Sequence, residues 1–100
     1  MLAHPELLRR VAQREADELG DRLEEIETAV IEASHAGLMG DILAVQRDIS
    51  MLRRIVVPQR DAVGRLARRE FEIINQEMAY RFRDVYDQFA RIADDAIVFQ

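Results

Sequence analysis

The stretch that decides the fold is Met78-Ala79-Tyr80-Arg81-Phe82-Arg83-Asp84-Val85-Tyr86-Asp87-Gln88-Phe89, which continues to Phe99. Its apolar residues recur at alternating steps of four and three, at Met78, Phe82, Val85, Phe89, Ile92, Ala96 and Phe99. This spacing is typical of a helix that packs lengthwise against other helices. No glycine, proline or polar cap interrupts the pattern before Gln100. We therefore expect a long helix over about residues 76–100 that is part of something longer.

The segment before it carries the cleanest helical period of the chain. Its members are Ile42, Val45, Ile49, Leu52, Val56, Gln59, Val63 and Leu66. Pro58 lacks a backbone donor and clashes with the preceding turn, but the period stays in phase across it. The pattern thus predicts one helix over about residues 41–69, kinked near Pro58. Asp41 is a candidate N-cap for this helix, and Asn75 is one for the next.

The first third of the chain predicts a helix over about residues 5–35. Pro5 suits the first helical position, and Gly37 suits the left-handed position that ends a helix. The apolar stripe between them consists of Leu19, Leu23, Ile26, Val30 and Ala33. Because the connection to the second helix is short, the two helices are expected to be antiparallel neighbours. The predicted fold is all-α and coiled-coil-like: a single domain over residues 1–100 with a helical hairpin and a long third helix.

Composition excludes several classes of function. The 100 residues carry a net charge of −5 and no cysteine, so a disulfide framework, a thiolate metal site and a cysteine nucleophile are excluded. No run approaches the roughly 20 apolar residues of a membrane span, which predicts a soluble chain. Arginines exceed acids only over residues 35–70, where acids are interspersed and interleaved aromatic residues are lacking. Nucleic-acid binding is therefore not expected.

Three short motifs resemble the cytoplasmic helices of the CorA family of magnesium and cobalt channels. They are Leu52-Arg53-Arg54, Pro58-Gln59-Arg60 and Arg83-Asp84-Val85-Tyr86-Asp87, in that order. In that family, Arg-Asp-Val-Tyr-Asp-His opens the stalk helix that leads into the membrane, and Leu-Arg-Arg and Pro-Leu-Arg precede it. The chain departs from this pattern at Gln59, where the family has leucine, and at Gln88, where it has histidine.

The resemblance implies a function and one metal-binding residue. In CorA-like proteins, the aspartate that matches Asp84 helps to hold a divalent cation between neighbouring subunits of a pentamer, with acids from a preceding α/β domain. The implied function is the cytoplasmic regulatory part of a Mg²⁺ or Co²⁺ channel, which senses intracellular cation and gates the pore. The fragment itself would bind no ion tightly. It would self-associate on the cytoplasmic side of the cell membrane, and spans that follow it would anchor it there.

The residues around Asp84 also allow a plainer interpretation. Asp84 points away from the apolar stripe, and opposite charges flank it at i,i+4 spacing. These are the pairs Glu77–Arg81, Arg83–Asp87 and Asp87–Arg91. Exposed pairs of this kind contribute only about 0.3–0.5 kcal/mol each, so the same face can be merely solvated. Asp87 could share a cation with Asp84, but its neighbouring arginines favour a structural pairing.

Other functions remain open as alternatives. Glu32 and His35 have the Glu-x-x-His spacing of carboxylate-bridged di-iron bundles, but no second copy exists. The chain has no glycine-rich phosphate loop and no nucleophile triad, so no enzyme is expected. The main alternative is a helical-hairpin interaction module that serves as an adaptor. Because a fragment of this size is marginally stable alone, we expect Tyr80, Tyr86 and Phe99 to contact other chains.

Overall fold

A computed structural model of the protein describes residues 4–69, 71–72 and 74–98. It contains three helices, α1 (Pro5–Ala36), α2 (Met39–Ala67) and α3 (Gln76–Val98), and no strand among the described residues. The predicted all-α fold is confirmed. The predicted end of the third helix, including Phe99, lies outside the described residues.

Helix α1 begins and ends where the sequence predicts. Pro5 opens the helix, and the N–H of Gly37 donates to the carbonyl of Ala33 from a left-handed backbone with φ 67°. His4, which carried no prediction, is the N-cap. Its Nδ1 accepts a hydrogen bond from the N–H of Glu6 at 3.2 Å, which satisfies one of the donors left open at a helix start.

Helix α2 begins earlier than predicted. Leu38 is its N-cap residue and provides no side-chain hydrogen bond, while Asp41 lies in the first turn and Gly40 is already helical. The assignment of Asp41 as the N-cap was wrong because the left-handed Gly37 turns the chain within two residues. In the first turn, the Asp41 carboxylate still lies near the positive end of the helix dipole. The helix then continues through Pro58, as the unbroken period predicted.

The connection between α2 and α3 is held by side chains at both ends. Arg69 has a left-handed backbone with φ 58°, and its Nε donates to the carbonyl of Ile74 at 3.2 Å. Ile74 is buried. The Asn75 Oδ1 accepts from the N–H of Met78 at 2.8 Å, which confirms Asn75 as the cap of α3.

The core lies along the inner face of α3. Its largest fully buried side chains are Phe82, Phe89, Ile49, Leu52, Ile74, Val56 and Val85. Fully burying one such side chain stabilises the fold by about 1.5–3 kcal/mol. No polar or charged residue is buried within the described ranges. The packed helices form a rod of 52 × 19 × 17 Å.

Helix α3 runs parallel to α1 and antiparallel to α2. Early residues of α3 contact early residues of α1, as Arg81 with Glu6 and then Gln88 with Asp17. Further along, Asp95 borders the same surface groove as Glu24 and Glu27. None of the helices, over the residues described, is long and apolar enough to cross a membrane.

Candidate cation site on the third helix

The Asp84 carboxylate projects from the outer face of α3. The side chains of Phe82 and Val85, on either side of it in sequence, are 0% and 1% exposed, whereas Asp84 is exposed. The structure therefore confirms that the Asp84 side chain points outward, as predicted. Nothing in the structure tests a role in metal binding, which stays a prediction.

The arginines nearest Asp84 in sequence are engaged elsewhere. Arg81 Nη1 lies 3.2 Å from Glu6 Oε2, and its Nη2 lies 3.4 Å from Glu77 Oε1. The guanidinium of Arg83 lies over the ring of Tyr80, 5.5 Å from its centroid. Asp84 forms no hydrogen bond or ion pair with any residue that the structure describes. Its carboxylate is thus accessible to a cation from outside the chain.

Only one of the three predicted charge pairs forms among the described residues. Glu77 pairs with Arg81, whereas Asp87 has no ion pair with Arg83 or Arg91 in that part of the chain. The expected structural pairing of Asp87 was wrong, in part because Arg83 turns back towards an aromatic ring at i−3. A guanidinium over an aromatic face is stabilised by about 0.5–1 kcal/mol at exposed sites, which competes with an exposed ion pair.

On the outer face of α3, Asp84 lies next to the edge that contacts α1. Residues three and four apart are neighbours on a helix surface, so Asp84 lies between Arg81 and Gln88. Gln88 Nε2 donates to Asp17 Oδ1 at 2.8 Å, and Gln13 Nε2 donates to Gln88 Oε1 at 2.6 Å. Gln88, which departs from the histidine of the pattern that the sequence resembles, here joins α3 to α1.

The contact at the start of this edge has a strong effect on one carboxyl group. Arg9 donates to Glu6 from Nη2 at 2.6 Å and from Nε at 3.1 Å. These hydrogen bonds, with further attraction from Arg81 and Arg10, lower the pKa of Glu6 to about 2 despite some desolvation. Glu6 is therefore a fixed negative charge at neutral pH that holds Arg81 away from Asp84.

The two tyrosines expected to contact other chains differ in exposure. Tyr80 is 53% exposed, as the prediction requires. Tyr86 is only half-buried, and it packs against the core of its own chain, with its ring over Gly64 of α2. Tyr86 is therefore less available to other chains than predicted, because the glycine leaves room for its ring within the chain.

The described residues do not build a complete metal site on their own. Within residues 4–69, 71–72 and 74–98, no group of three or more histidine, aspartate or glutamate side chains could hold a metal ion. Glu32 and His35 are exposed near the C-terminal end of α1. A cation at Asp84 therefore finds no ready set of three such ligands among these residues.

The family model described as "CorA-like Mg2+ transporter protein" matches residues 12–100, which include all three motifs and Asp84. The chain belongs to this CorA-like family. The resemblance predicted from those motifs is confirmed.

Two curated relatives of this CorA-like chain carry names that refer to metal transport. The zinc transport protein ZntB of Photorhabdus laumondii is 32% identical over 79 residues, which cover 79% of this chain and 24% of the relative. The putative metal ion transporter YfjQ of Bacillus subtilis is 28% identical over 74 residues, which cover 74% of this chain and 23% of the relative. The chain thus spans about a quarter of the length of these relatives. No solved structure matches it significantly.

Proposed function

We propose that the chain is the cytoplasmic regulatory part of a divalent-cation transport protein, and that Asp84 supplies one carboxylate to a cation site at a boundary between subunits. The observation that carries this proposal is the state of Asp84. Its carboxylate is exposed on the outer face of α3 and unpaired among the described residues, while Arg81 and Arg83 are engaged elsewhere.

A single carboxylate is sufficient for a weak magnesium site. Mg²⁺ retains several of its water ligands and binds through one or two carboxylates. A neighbouring subunit would supply the second acid. The bound cation would then offset the repulsion between acidic surfaces and stabilise the assembled, closed state. Loss of the cation would shift the population towards separated subunits, because a ligand favours the state that binds it more tightly.

The ligand chemistry favours a hard cation at this position. Asp84 offers carboxylate oxygen, and the chain has no cysteine to provide the sulfur ligands that zinc often uses. We therefore propose Mg²⁺, with Co²⁺ as an alternative occupant, for the regulatory site. The name of the zinc-transporting relative leaves the transported ion a separate question, because a regulatory site and a pore have different ligands.

The proposal is tested by the dependence of self-association on Mg²⁺. Asp84→Asn removes the charge at the proposed site, and Asp94→Asn removes another exposed charge, about three turns further along α3. Because the site is weak, the magnesium titration must extend to concentrations that fill a weak site, where sedimentation of the chain should show Mg²⁺-promoted association for the wild type and for Asp94→Asn. Asp84→Asn should lose that response. An equal response from all three proteins would remove Asp84 from the site.

The same substitution has a second readout in a complete transport protein that contains this chain. There, Asp84→Asn should weaken the inhibition of ion current by intracellular Mg²⁺, since the closed assembly would lose a ligand. Asp94→Asn again serves as the matched control. Unchanged inhibition in Asp84→Asn would contradict the proposal.

A second candidate, an adaptor that binds other proteins through its helical hairpin, is favoured by the hairpin end. Ile31, Leu38, Met39 and Leu43 are each at least 52% exposed there. Exposed apolar side chains in a group are typical of interaction surfaces. Association that is independent of divalent cation and is abolished by Leu38→Ser with Met39→Ser would favour this function over the first.

A further inference from the structure

Helices α2 and α3 approach each other at Gly64. This residue is buried, and the ring of Tyr86 lies directly over it. A Cβ atom added at Gly64 would lie 3.0 Å from Tyr86 Cε1 and 3.2 Å from Tyr86 Cδ1. It would also lie 3.2 Å from Nη1 of Arg68. The long Arg68 side chain can move aside, but the tyrosine ring has only two torsions with which to do so.

The other helical glycines do not resemble Gly64. At Gly20 the nearest atom to an added Cβ is Ile92 Cδ1 at 3.8 Å, which is an ordinary van der Waals contact. At Gly40 there is nothing within 4 Å. Gly64 has no positive φ, so its backbone does not require glycine. Glycine in a helix interior is unfavourable relative to alanine. What the missing side chain provides at this position is space for the ring.

The position of Tyr86 relative to Asp84 connects this contact to the candidate cation site. Tyr86 and Asp84 are two positions apart in sequence. At 3.6 residues per turn, such positions are separated by about 200° around the helix axis. A Tyr86 ring fixed against α2 therefore turns Asp84 to nearly the opposite side of α3. The buried side chains of Phe82 and Val85 favour the same rotation. The Tyr86 ring adds to this restraint, because a ring packed closely over the Gly64 backbone has little room to shift.

We propose that Gly64 is a positioning residue: the space above it accepts the Tyr86 ring, sets the rotation of α3 and thereby directs Asp84 outward. The importance of this rotation for cation binding rests on the proposed function. The rotation itself does not, and it can be measured without any cation.

The experiment uses a pair of spin labels, which the absence of native cysteine makes straightforward. Arg54→Cys on α2 and Asp87→Cys on α3 are both exposed and lie outside the Gly64–Tyr86 contact. Gly64→Ala should shift and broaden the distance distribution between the labels. Gly40→Ala is the matched control, because it adds the same methyl group to open space, and it should leave the distribution unchanged.

A compensating variant separates this contact from a general loss of structure. Gly64→Ala combined with Tyr86→Leu removes the ring that the new methyl group would meet, and it should restore a narrow distribution. Should Gly64→Ala alone fail to fold, the combined variant must fold and show that distribution. An unchanged distribution in Gly64→Ala, or no recovery in the combined variant, would overturn the proposal.

The link to the cation is measured last, through the Mg²⁺ dependence of self-association. Gly64→Ala should weaken the Mg²⁺ response even though Asp84 is intact, and the combined variant should restore it. If the wild type shows no Mg²⁺ response, the proposed function fails while the label distances still test the positioning role. If Gly64→Ala changes the distances but leaves the wild-type Mg²⁺ response intact, the positioning role does not extend to the cation site.

Discussion

Helix α3 is held by its two neighbours in different ways. Towards α2 it packs more extensively, and the contact includes the Tyr86 ring over the buried Gly64. Towards α1 the contact carries a polar rim, with Arg81 bonded to Glu6 and Gln88 bonded to Asp17. The α1 contact also includes buried apolar side chains, but its exposed polar rim adds little, so the larger α2 contact contributes most to the position of α3. The α1 contact is the one that can open at lower cost.

The largest effect should come from the buried aromatic residues of α3. Phe82→Ala and Phe89→Ala each remove a fully buried ring and should lower the free energy of unfolding by about 3–5 kcal/mol. Tyr80→Ala, at a residue that is 53% exposed, is the control and should lower it by no more than about 1 kcal/mol, chiefly through the lost contact with Arg83. Urea unfolding followed by circular dichroism measures all three. Equal losses of unfolding free energy in the phenylalanine variants and in Tyr80→Ala would mean that the phenylalanine face of α3 is not the buried one.

The contact between α2 and α3 is tested by comparing alanine substitutions at two glycines of α2. Gly40→Ala should raise the free energy of unfolding by up to about 1 kcal/mol, because alanine is the better helix former. Gly64→Ala should lower it by about 1–3 kcal/mol, because the added methyl group overpacks the contact with Tyr86. The two substitutions should therefore change the free energy of unfolding in opposite directions, and urea unfolding measures both. A stabilising Gly64→Ala would show that the ring is not confined.

The α1 contact should respond more weakly to the loss of one side chain. Gln88→Ala removes the hydrogen bonds with Gln13 and Asp17. It should lower the free energy of unfolding by about 0.5–1.5 kcal/mol. Gln46→Ala, at an exposed position of α2, is the control. In a double-mutant cycle with Asp17→Ala, the two α1–α3 substitutions should be less than additive. Strict additivity would argue that these side chains do not contact each other in solution.

The smallest effect should appear only in acid. The pKa of Glu6 is about 2 in the folded chain, below its ordinary value of 4.5, chiefly because Arg9 donates hydrogen bonds to it. A lowered folded-state pKa means that the carboxylate stabilises the fold above pH 4.5 and that this contribution is lost as the pH falls towards 2. NMR titration of the Glu6 carboxyl group should show the low pKa. Arg9→Gln should raise it towards 4.5, and a Glu6 pKa near 4.5 in the unsubstituted chain would contradict the contact.

Features that depend on local chemistry were predictable from the sequence. Pro5, Gly37 and Asn75 act at helix ends through their own backbone or side chain, and all three are where the sequence placed them. The apolar period of α3 likewise predicted its buried face. Asp41 was misplaced because two strong start signals, a turn after glycine and an acid, lay close together, and the turn decided the boundary.

Features that depend on the register between helices were not predictable. The hydrogen bonds of Gln88 with Asp17, and the ring of Tyr86 over Gly64, require knowing which residues of separate helices lie opposite each other. Periodicity gives the face of a helix but not its axial offset. At the candidate site, the helical period predicted the outward direction of Asp84. It did not predict that Arg81 would pair with Glu6 or that Arg83 would lie over the Tyr80 ring.

The hydrogen bond from Arg69 to the carbonyl of Ile74 has a mechanical consequence. It links the turn that directly follows α2 to a residue buried in the core just before α3, so a hydrogen bond joins the ends of the two helices in addition to the chain itself. Because this hydrogen bond shortens the free length of the connection, a force applied along α3 would act on α2 as well. Force or displacement arising at one end of the rod would then travel along both helices together.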